Sequence, residues 1–353
     1  MGYRFVVAEP NNSVHRDAVL GLWQRNFRLI NSYDCYEWLY AANPAGQTIT
    51  VLAILEDQDR IIGCASIMRR DFVLEGDVYH GGVAILFSVD PEFRVFGPAL
   101  QLQRVTVEQA WKQGLEFIVG FPNRSAWNIT RRVGYERMGK KARFTHIVRS
   151  NNKLREKLPN IFPNWLINSG SYVLDAGLLL RNRIAGGASS RTELVIGGEL
   201  ARDWQELWKK ISANPDFKGD LGEGYVQWRY LCCPYRDYRI SQLFDPQGKL
   251  LAYLIFSSKE NLVLIEEFRF SDQRWMHELF AKFWREMRSQ GVEAINAGLV
   301  FNGKIIDLML KAGYLPRPMD RDGVIFISKN TSVDWEMVLQ ERDWYIPDGE
   351  LDL

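Results

Sequence analysis

Cysteine and histidine are scarce in this sequence. The four cysteines, two of which are the adjacent pair Cys232 and Cys233, do not have the spacing of a zinc site. The four histidines are scattered along the chain and form no metal-binding motif. We therefore expect no bound metal, and we interpret the cysteines as reduced thiols in a cytoplasmic protein.

Long apolar runs and an excess of one charge sign are also missing. The most apolar stretch, 165–180, is interrupted by asparagine, serine and aspartate, so no membrane-spanning helix is predicted. The N-terminal segment lacks the basic start and apolar core of a secretory signal. Lysine plus arginine number 44 against 43 for aspartate plus glutamate, a net charge of +1. Such a chain has no strong field to attract nucleic acid or an anionic membrane.

The sequence contains an internal repeat. Its 353 residues, 46% of them hydrophobic, suffice for two globular domains. Segment 36–44 resembles segment 226–234, with Trp, Tyr and Pro aligned at one offset. The spacing from Asn to Gly-Tyr over 123–135 recurs over 302–314. We interpret the sequence as two tandem copies of one fold.

Each copy has the pattern of an α/β (α+β) fold. The order is helix, strand, hairpin strand, long strand, helix, strand, helix and a closing strand pair, which favours a mixed central sheet flanked by helices. We predict a first lobe over 1–150, a linker over 151–191, a second lobe over 192–332 and an acidic tail over 333–353. The sequence leaves the oligomeric state open.

A turn between a strand and a helix carries the most informative pattern. The apolar run 83–89 predicts a buried strand that ends before Pro91, and 99–114 predicts a helix. The connecting turn contains Arg94 and Gly97. Backbone N–H groups at the start of a helix have no partner within it, and the helix dipole adds positive potential there. The turn therefore predicts a site for a phosphate or pyrophosphate.

A second segment follows the same logic. Residues 116–121 predict a strand, and Asn123 is suited to cap the helix that comes next. Gly134, followed by Tyr135, is suited to end that helix. The second connection therefore fits the same pattern of strand, turn and helix N-terminus.

Together these segments resemble the GNAT superfamily of acyl-CoA-dependent N-acyltransferases, over about residues 5–148. The family pattern that wraps the CoA pyrophosphate is met here by Val89, Pro91, Arg94, Gly97 and Ala99. The later family pattern is met by Asn123, Ala126, Gly134 and Tyr135. The resemblance implies acetyl-CoA, or another acyl-CoA, as co-substrate. The cofactor-binding residues it implies are Phe87, Ser88, Val89, Arg94, Val95, Phe96, Gly97, Pro98, Ala99 and Asn123.

The second copy lacks this turn. The equivalent stretch, 267–279, has no Pro-x-x-Arg-x-x-Gly, and without glycine the backbone cannot approach a pyrophosphate closely. Glu266, Glu267 and Asp272 would also repel one. We therefore predict that the first lobe binds the cofactor, whereas the second supports the site and contributes to the acceptor pocket.

The catalytic residues are less clear, because the sequence departs from the family. Val83 and Thr130 stand where many members carry a glutamate and a tyrosine. As substitutes we predict His80 as general base and Tyr135 as proton donor, with Asp77, Glu37 or the C-terminal carboxylate as alternative bases. A backbone N–H near Phe87 or Ser88 would stabilise the oxyanion.

These observations predict an N-acyltransferase that moves an acetyl or other short acyl group from CoA to a small-molecule primary amine. Resemblance to tandem members in bacterial envelope pathways makes an amino sugar the first expectation. One alternative is an aminoacyl-tRNA-dependent peptidyltransferase of the Fem type, which the neutral charge and the first-lobe turn disfavour. The other is a binding protein that kept the fold without catalysis.

Overall fold

The computed structural model describes residues 2–27, 33–94, 97–149, 191–300, 303–317, 323–329, 335, 344–347 and 349. The predicted linker, apart from Arg191, and most of the predicted acidic tail lie outside this set. Strands and helices form two mixed sheets flanked by helices, as the repeat predicts. We call the sheets and their helices the first lobe and the second lobe.

The first part of the chain contains six strands and four helices within the described residues. The strands are β1 Tyr3–Val7, β2 Ile49–Leu55, β3 Arg60–Leu74, β4 Asp77–Val89, β5 Phe117–Gly120 and β6 Glu136–Ile147. The helices are α1 Ser13–Phe27, α2 Tyr33–Tyr40, α3 Pro98–Lys112 and α4 Arg124–Val133.

The second part contains nine strands and four helices in the portion that the structure describes. The strands are β7 Glu193–Gly197, β8 Phe217–Gly219, β9 Tyr238–Phe244, β10 Leu250–Lys259, β11 Leu262–Phe270, β12 Ala294–Val300, β13 Leu315–Arg317, β14 Gly323–Ser328 and β15 Trp344–Pro347. The helices are α5 Trp204–Ser212, α6 Glu223–Val226, α7 Gln273–Ser289 and α8 Gly303–Lys311. A π-helical turn, Gln227–Leu231, continues α6.

The two sheets have the same arrangement. The first runs β1-β2-β3-β4-β5, with β4 and β5 parallel and the others antiparallel. The second runs β7-β9-β10-β11-β12, with β11 and β12 parallel. A parallel pair needs a long crossover, and α3 and α7 provide it. Each lobe therefore contains one strand–helix–strand unit at the centre of its sheet.

The lobes exchange their closing strands. Residues 136–140 of β6 pair with β14, which itself pairs with β5 in the first sheet. Residues 141–147 of β6 cross into the second sheet and pair with β12. Strand β14 follows the helices of the second lobe in the chain, yet it completes the sheet of the first. Both sheets are thus closed by a strand from the other part of the chain.

Two tryptophans matched by the repeat meet where the lobes join. Nε1 of Trp38 donates a hydrogen bond to the carbonyl oxygen of Trp228, and Nε1 of Trp228 donates to that of Trp38, both at 2.8 Å. Their rings are stacked with centroids 5.0 Å apart. The reciprocal contact places the π-helical turn of the second lobe directly against α2 of the first.

Within the residues described, no helix is both long and apolar enough to cross a membrane. The same residues contain no cluster of His, Cys, Asp or Glu side chains suited to hold a metal ion. All four cysteines are free thiols, and Cys35 and Cys64 are buried.

Candidate cofactor site of the first lobe

The sheet of the first lobe opens between its two parallel strands. Strands β4 and β5 pair only from Gly81 opposite Phe117 to Ala84 opposite Gly120. Beyond that point β4 continues for five residues, 85–89, while the chain after β5 turns towards α4. Among the described strands, none pairs with residues 85–89 on this side. A gap therefore separates the two strands at the edge of the sheet where β4 leads towards α3 and β5 leads towards α4.

A β-bulge lies in β4 beside this gap. Cys64 is opposite Ser88 and Ser66 is opposite Ile85, so that Leu86 and Phe87 face a single residue of β3. Leu86 has a φ of +48°, which is unfavourable for a residue with a side chain. A bulge interrupts the ladder and turns backbone groups away from the neighbouring strand. The backbone near Phe87 is therefore the part of β4 best suited to contact a ligand.

The chain after β4 is fixed by a buried carboxylate. Asp90 is 1% exposed and accepts hydrogen bonds from Nε of Arg25, at 2.8 Å, and from Nη2 of Arg60, at 3.1 Å. Arg60 also donates to Glu92 at 2.7 Å. The predicted Arg94 folds back, and its Nε donates to the carbonyl oxygen of Val89 at 3.1 Å. These contacts fix the chain from the end of β4 to Arg94.

Gly97 is the N-cap of α3 and has a φ of +92°, a conformation that favours glycine. No side chain in the described ranges caps the N-terminus of this helix, and Pro98 takes the first helical position. A Cβ atom on Gly97 would meet no described atom within 4 Å. The space beside Gly97 is thus free of other described atoms. Two other predicted cofactor-binding residues, Val95 and Phe96, lie outside the described residues.

The start of α4 is capped as predicted. Oδ1 of Asn123 accepts hydrogen bonds from the backbone N–H groups of Ser125, at 3.1 Å, and Ala126, at 3.0 Å. The helix ends at Gly134, which has a φ of +115°. Asn123 is exposed at the edge of the gap. The structure therefore brings Asn123, residues 87–94 and residues 97–99 to the same edge of the sheet.

The predicted base His80 is not brought to this edge. It lies near the other end of β4, six residues before Leu86, which corresponds to about 20 Å along a strand. Its exposed ring contacts the carboxylate of Asp71 at 2.9 Å. The alternative base Asp77 is farther still, at the first position of β4, whereas Glu37 lies on α2. The last four residues of the chain are outside the described set.

The predicted proton donor Tyr135 packs in the core. It is 3% exposed and lies in a cluster with Val107 and Ala110 of α3 and with Leu115. Its hydroxyl has no hydrogen-bond partner among the residues described. Burial raises the pKa of Tyr135 well above its usual value, so the phenol stays protonated. Neither predicted catalytic side chain is therefore placed beside the bulge.

The equivalent gap of the second lobe is occupied. Strands β11 and β12 pair only over Leu262–Ile265 and Ala294–Ala297. Beyond that point β12 pairs instead with the C-terminal strand β15. The hydroxyl of Tyr345 in β15 donates to the carbonyl oxygen of Phe268 at 2.8 Å, which ties β15 to β11 as well. The chain itself thus fills the gap that is open in the first lobe.

The second lobe also lacks the turn. Only two residues separate β11 from α7, and Asp272 caps α7 by accepting from the backbone N–H of Arg274 at 3.0 Å. Glu266 and Glu267 do not face this connection. They are buried in β11, where Glu266 accepts from Arg236 at 2.8 Å. Of the three acidic residues that we expected to repel a pyrophosphate, only Asp272 therefore lies at the helix start.

Sequence reasoning missed the bulge and the Asp90 anchor. A bulge depends on the register between two strands that pair over long sequence distances, and no local pattern in β4 announces it. Asp90 adjoins the predicted Val89 and Pro91 in sequence, but its partners are 65 and 30 residues away. Its position directly after a buried strand was the only available signal.

No protein-family model matches this sequence, and no curated protein does. Solved structures do match. A probable N-acyltransferase from Enterococcus faecalis V583, described as a conserved protein of unknown function, is 12% identical with a TM-score of 0.67 over 93% of this chain and 73% of that one. A GCN5-related N-acetyltransferase from Kribbella flavida is 14% identical with a TM-score of 0.61 over 93% of this chain and 72% of that one.

A third similar structure is the N-myristoyltransferase of Saccharomyces cerevisiae with bound myristoyl-CoA. It is 9% identical with a TM-score of 0.58, over 92% of this chain and 82% of that one. In all three comparisons nearly the whole chain is aligned, so the similarity extends over both lobes. The predicted resemblance to the GNAT superfamily is thus confirmed at the level of the fold.

Proposed function

We propose that this protein is a GNAT-type N-acyltransferase that moves an acetyl or other short acyl group from CoA to a primary amine. The observation that carries the proposal is the first-lobe gap, which combines a bulged β4 with a helix whose N-cap, Gly97, provides no side-chain hydrogen bond. The GNAT fold supports the assignment, because three similar structures are named as acyltransferases of this kind. Two copies of that fold in tandem are part of the same proposal.

The gap suits the parts of an acyl-CoA. Backbone N–H groups at the start of α3, together with the turn from Arg94 through Val95 and Phe96 to Gly97, would hold the pyrophosphate. The edge of β4 at 85–89 that no described strand covers would lie alongside the pantetheine arm, as a neighbouring strand would. Pro98 and Ala99 start the helix at this point, and Asn123 would contact the cofactor from the other side.

The chemistry follows from the bulge. An amine that attacks the thioester carbon forms a C–N bond and places negative charge on the carbonyl oxygen. The nitrogen loses a proton to solvent, and the C–S bond then breaks to release the CoA thiolate. A backbone N–H near Phe87 or Ser88 would stabilise the negative oxygen. Neither His80 nor Tyr135 is beside the bulge, so this proposal gives neither of them a role in proton transfer.

The acceptor remains an expectation from the resemblance, with amino sugars first. The proposal includes a cytoplasmic location, which the free cysteines and the need for a supply of acyl-CoA favour. Placement of both predicted catalytic residues away from the gap favours one second candidate, a protein that binds acyl-CoA without transferring the acyl group. Both candidates bind acyl-CoA, but only the first transfers the acyl group.

The test uses two glycines at opposite ends of α3. Gly97→Glu places a carboxylate at the proposed pyrophosphate site, so we expect acetyl-CoA binding to fall at least 100-fold and any release of CoA thiol in the presence of amino sugars to stop. Gly114→Glu is the matched control, because Gly114 has a φ of +87° and equally open described surroundings. Both variants should lose about 1 kcal/mol of stability from the positive φ.

Calorimetry with acetyl-CoA and a thiol-release assay separate the outcomes. Binding and thiol release that are both lost in Gly97→Glu and kept in Gly114→Glu support the acyltransferase. Binding that is lost in the same way, without thiol release from any amine, supports the non-catalytic candidate. Equal binding by both variants would refute the site.

A further inference from the structure

A pocket opens on the second lobe, between β7, β9 and the C-terminal half of α7. It measures about 480 Å³, which is within the range of sites for small molecules. Two apolar side chains, both from β7, and five polar ones from β9 and α7 line it. Strand β7 is the last strand of the sheet on this side among the described residues. We call this cavity the β7–α7 pocket.

The spacing of residues along the chain brings the lining side chains together. Lys282, Arg285 and Glu286 are three and four residues apart on α7, so they lie on one face of the helix. Leu194 and Ile196 alternate along β7 and pack against the same core cluster as α7. The pocket therefore combines apolar contacts from the strand with polar groups from the helix.

Arg239 of β9 reaches the pocket past the end of β7. Strand β7 ends at Gly197, one position short of Arg239 in the register. Arg239 lies opposite Phe256, and its guanidinium carbon is 5.8 Å from the centroid of that ring. Phe256 packs in turn against Phe283 of α7, with centroids 4.9 Å apart. Arg239 from the sheet and Arg285 from the helix therefore line one pocket from two different elements.

The pocket concentrates positive charge. Three cations and one carboxylate line it, although the charges of the whole chain nearly balance. Within the described residues neither Arg239 nor Arg285 forms an ion pair, and Nε of Arg285 donates to the carbonyl oxygen of Ala281 at 3.2 Å. The carboxylate of Glu286 accepts from Nε2 of Gln290 at 2.8 Å. The terminal NH₂ groups of both arginines therefore have no anionic partner in the part of the chain described.

Lys282, the third cation, is engaged with the protein. Its Nζ donates to the carbonyl oxygen of Thr192 at 2.6 Å and lies 3.6 Å from the carboxylate of Glu278. These contacts tie α7 to the residue just before β7, so they fix the two elements that form most of the pocket. The two arginines then supply the charge that a ligand would meet.

We propose that the β7–α7 pocket binds a phosphorylated small molecule and that Arg239 and Arg285 hold its phosphate groups. A planar guanidinium donates two parallel hydrogen bonds to phosphate, and two of them suit a group with more than one negative charge. Leu194 and Ile196 provide apolar contacts for the rest of the molecule. The pocket lies in the second lobe, apart from the first-lobe gap, and does not depend on the proposed function.

The test is calorimetric titration of the full chain with pyrophosphate at fixed ionic strength. It is done in the wild type and in Gly97→Glu, because the first-lobe turn is also expected to take a pyrophosphate. We expect one site to remain in Gly97→Glu, with affinity for pyrophosphate about tenfold higher than for sulfate. Arg239→Glu or Arg285→Glu, each added to Gly97→Glu, should weaken pyrophosphate binding about tenfold or more.

Lys210→Glu, in the same background, is the matched control. Lys210 is exposed on α5, and the substitution changes the net charge by the same amount. The buried residues of α5 cluster with Tyr253, whereas those of α7 cluster with Leu254, so the two helices pack on opposite faces of the sheet. This variant should bind pyrophosphate as its background does. Arg285→Gln is the milder variant if circular dichroism shows that Arg285→Glu does not fold.

Three outcomes would overturn the pocket. Pyrophosphate bound no more tightly than sulfate would mean a patch of surface charge only, and an equal loss in Lys210→Glu would mean the same. Pyrophosphate binding that is lost in Gly97→Glu alone and kept in Arg285→Glu made in the wild type would place the anion at the first-lobe turn. Retained pyrophosphate binding in a protein that binds no acetyl-CoA would refute the proposed function and leave the pocket supported.

Discussion

In both lobes the two parallel central strands separate at the same place, but what lies in the gap between them differs. In the first lobe the gap between β4 and β5 is open, and eight residues lead from β4 to a helix capped by Gly97. In the second lobe β15 enters the gap between β11 and β12, and Asp272 caps the helix after a connection of two residues. Among the described residues no strand enters the first gap, whereas the chain itself fills the second.

The comparison shows which features make a site. A register shift in β11 at Glu266 repeats the bulge of β4, so a bulge alone does not define a cofactor site. The glycine-capped turn and the empty gap are the features that only the first lobe has within the described residues. Within the described residues the two lobes therefore differ in one connection and in one terminal strand, although their sheets have the same strand arrangement.

The largest expected effect is the loss of stability when the side chain of Tyr345 is removed from the second-lobe gap. Tyr345→Ala removes a 2% exposed aromatic side chain from β15, and we expect a loss of about 4 kcal/mol in the free energy of unfolding. Tyr345→Phe, which loses only the hydrogen bond to Phe268, should cost about 1 kcal/mol. Urea denaturation measures both variants. A folded Tyr345→Ala protein that no longer bound acetyl-CoA would contradict the comparison, because we propose no cofactor in the second-lobe gap.

The next largest effect is expected on removal of Asp90, the buried carboxylate that fixes the chain after β4. Asp90→Ala removes a buried carboxylate from Arg25 and Arg60, which are half-exposed, and we expect a loss of about 2 kcal/mol in stability. The loosened turn should also bind acetyl-CoA about tenfold more weakly. Glu92→Ala is the control, because Glu92 contacts the same Arg60 on the surface and should cost less than about 0.5 kcal/mol. Equal losses in both variants would show that the buried anchor has no special role.

The smallest effect is a pH dependence at the junction of the lobes. Lys218 of β8, a strand that pairs with both β3 and β15, is fully buried, and burial lowers its pKa to about 8. Since the lysine pKa in an unfolded chain is about 10.4, the unfolded state binds more protons between pH 8 and pH 10. Stability should therefore gain up to about 1 kcal/mol per pH unit from this group across that window.

Lys218→Met tests this contribution. Between pH 8 and pH 10 the temperature of thermal unfolding should rise less steeply with pH in the variant than in the wild type. The slope is the relevant quantity, because the substitution also removes hydrogen bonds to the carbonyl oxygens of Asn214 and Asp216 and lowers stability at every pH. Identical slopes would mean that Lys218 keeps an ordinary pKa and that the junction between the lobes is hydrated.

Local chemistry in the sequence predicted the helix ends well. Asn123 caps α4 and Gly134 ends it, because capping depends on a few adjacent residues and on a positive φ. The Gly97 turn was predictable for the same reason. The matched tryptophans of the repeat marked equivalent positions in the two copies, but the contact between them was not predicted.

Long-range pairing could not be predicted. The exchange of β6 and β14 between the sheets, the bulge at Leu86 and the entry of β15 into the second gap all depend on strands far apart in the chain. His80 illustrates the same limit. The sequence predicted a strand only over 83–89, with His80 just before it, whereas β4 is 13 residues long and includes His80 near the end opposite the gap.

The central claim is that acyl-CoA occupies the first gap and not the second. Hydrogen–deuterium exchange of the full chain with and without acetyl-CoA tests it most directly. We predict protection confined to peptides that cover 85–102 and the start of α4, with peptides over 262–280 unchanged. Protection over 262–280, or none over 85–102 at saturating acetyl-CoA, would contradict the account.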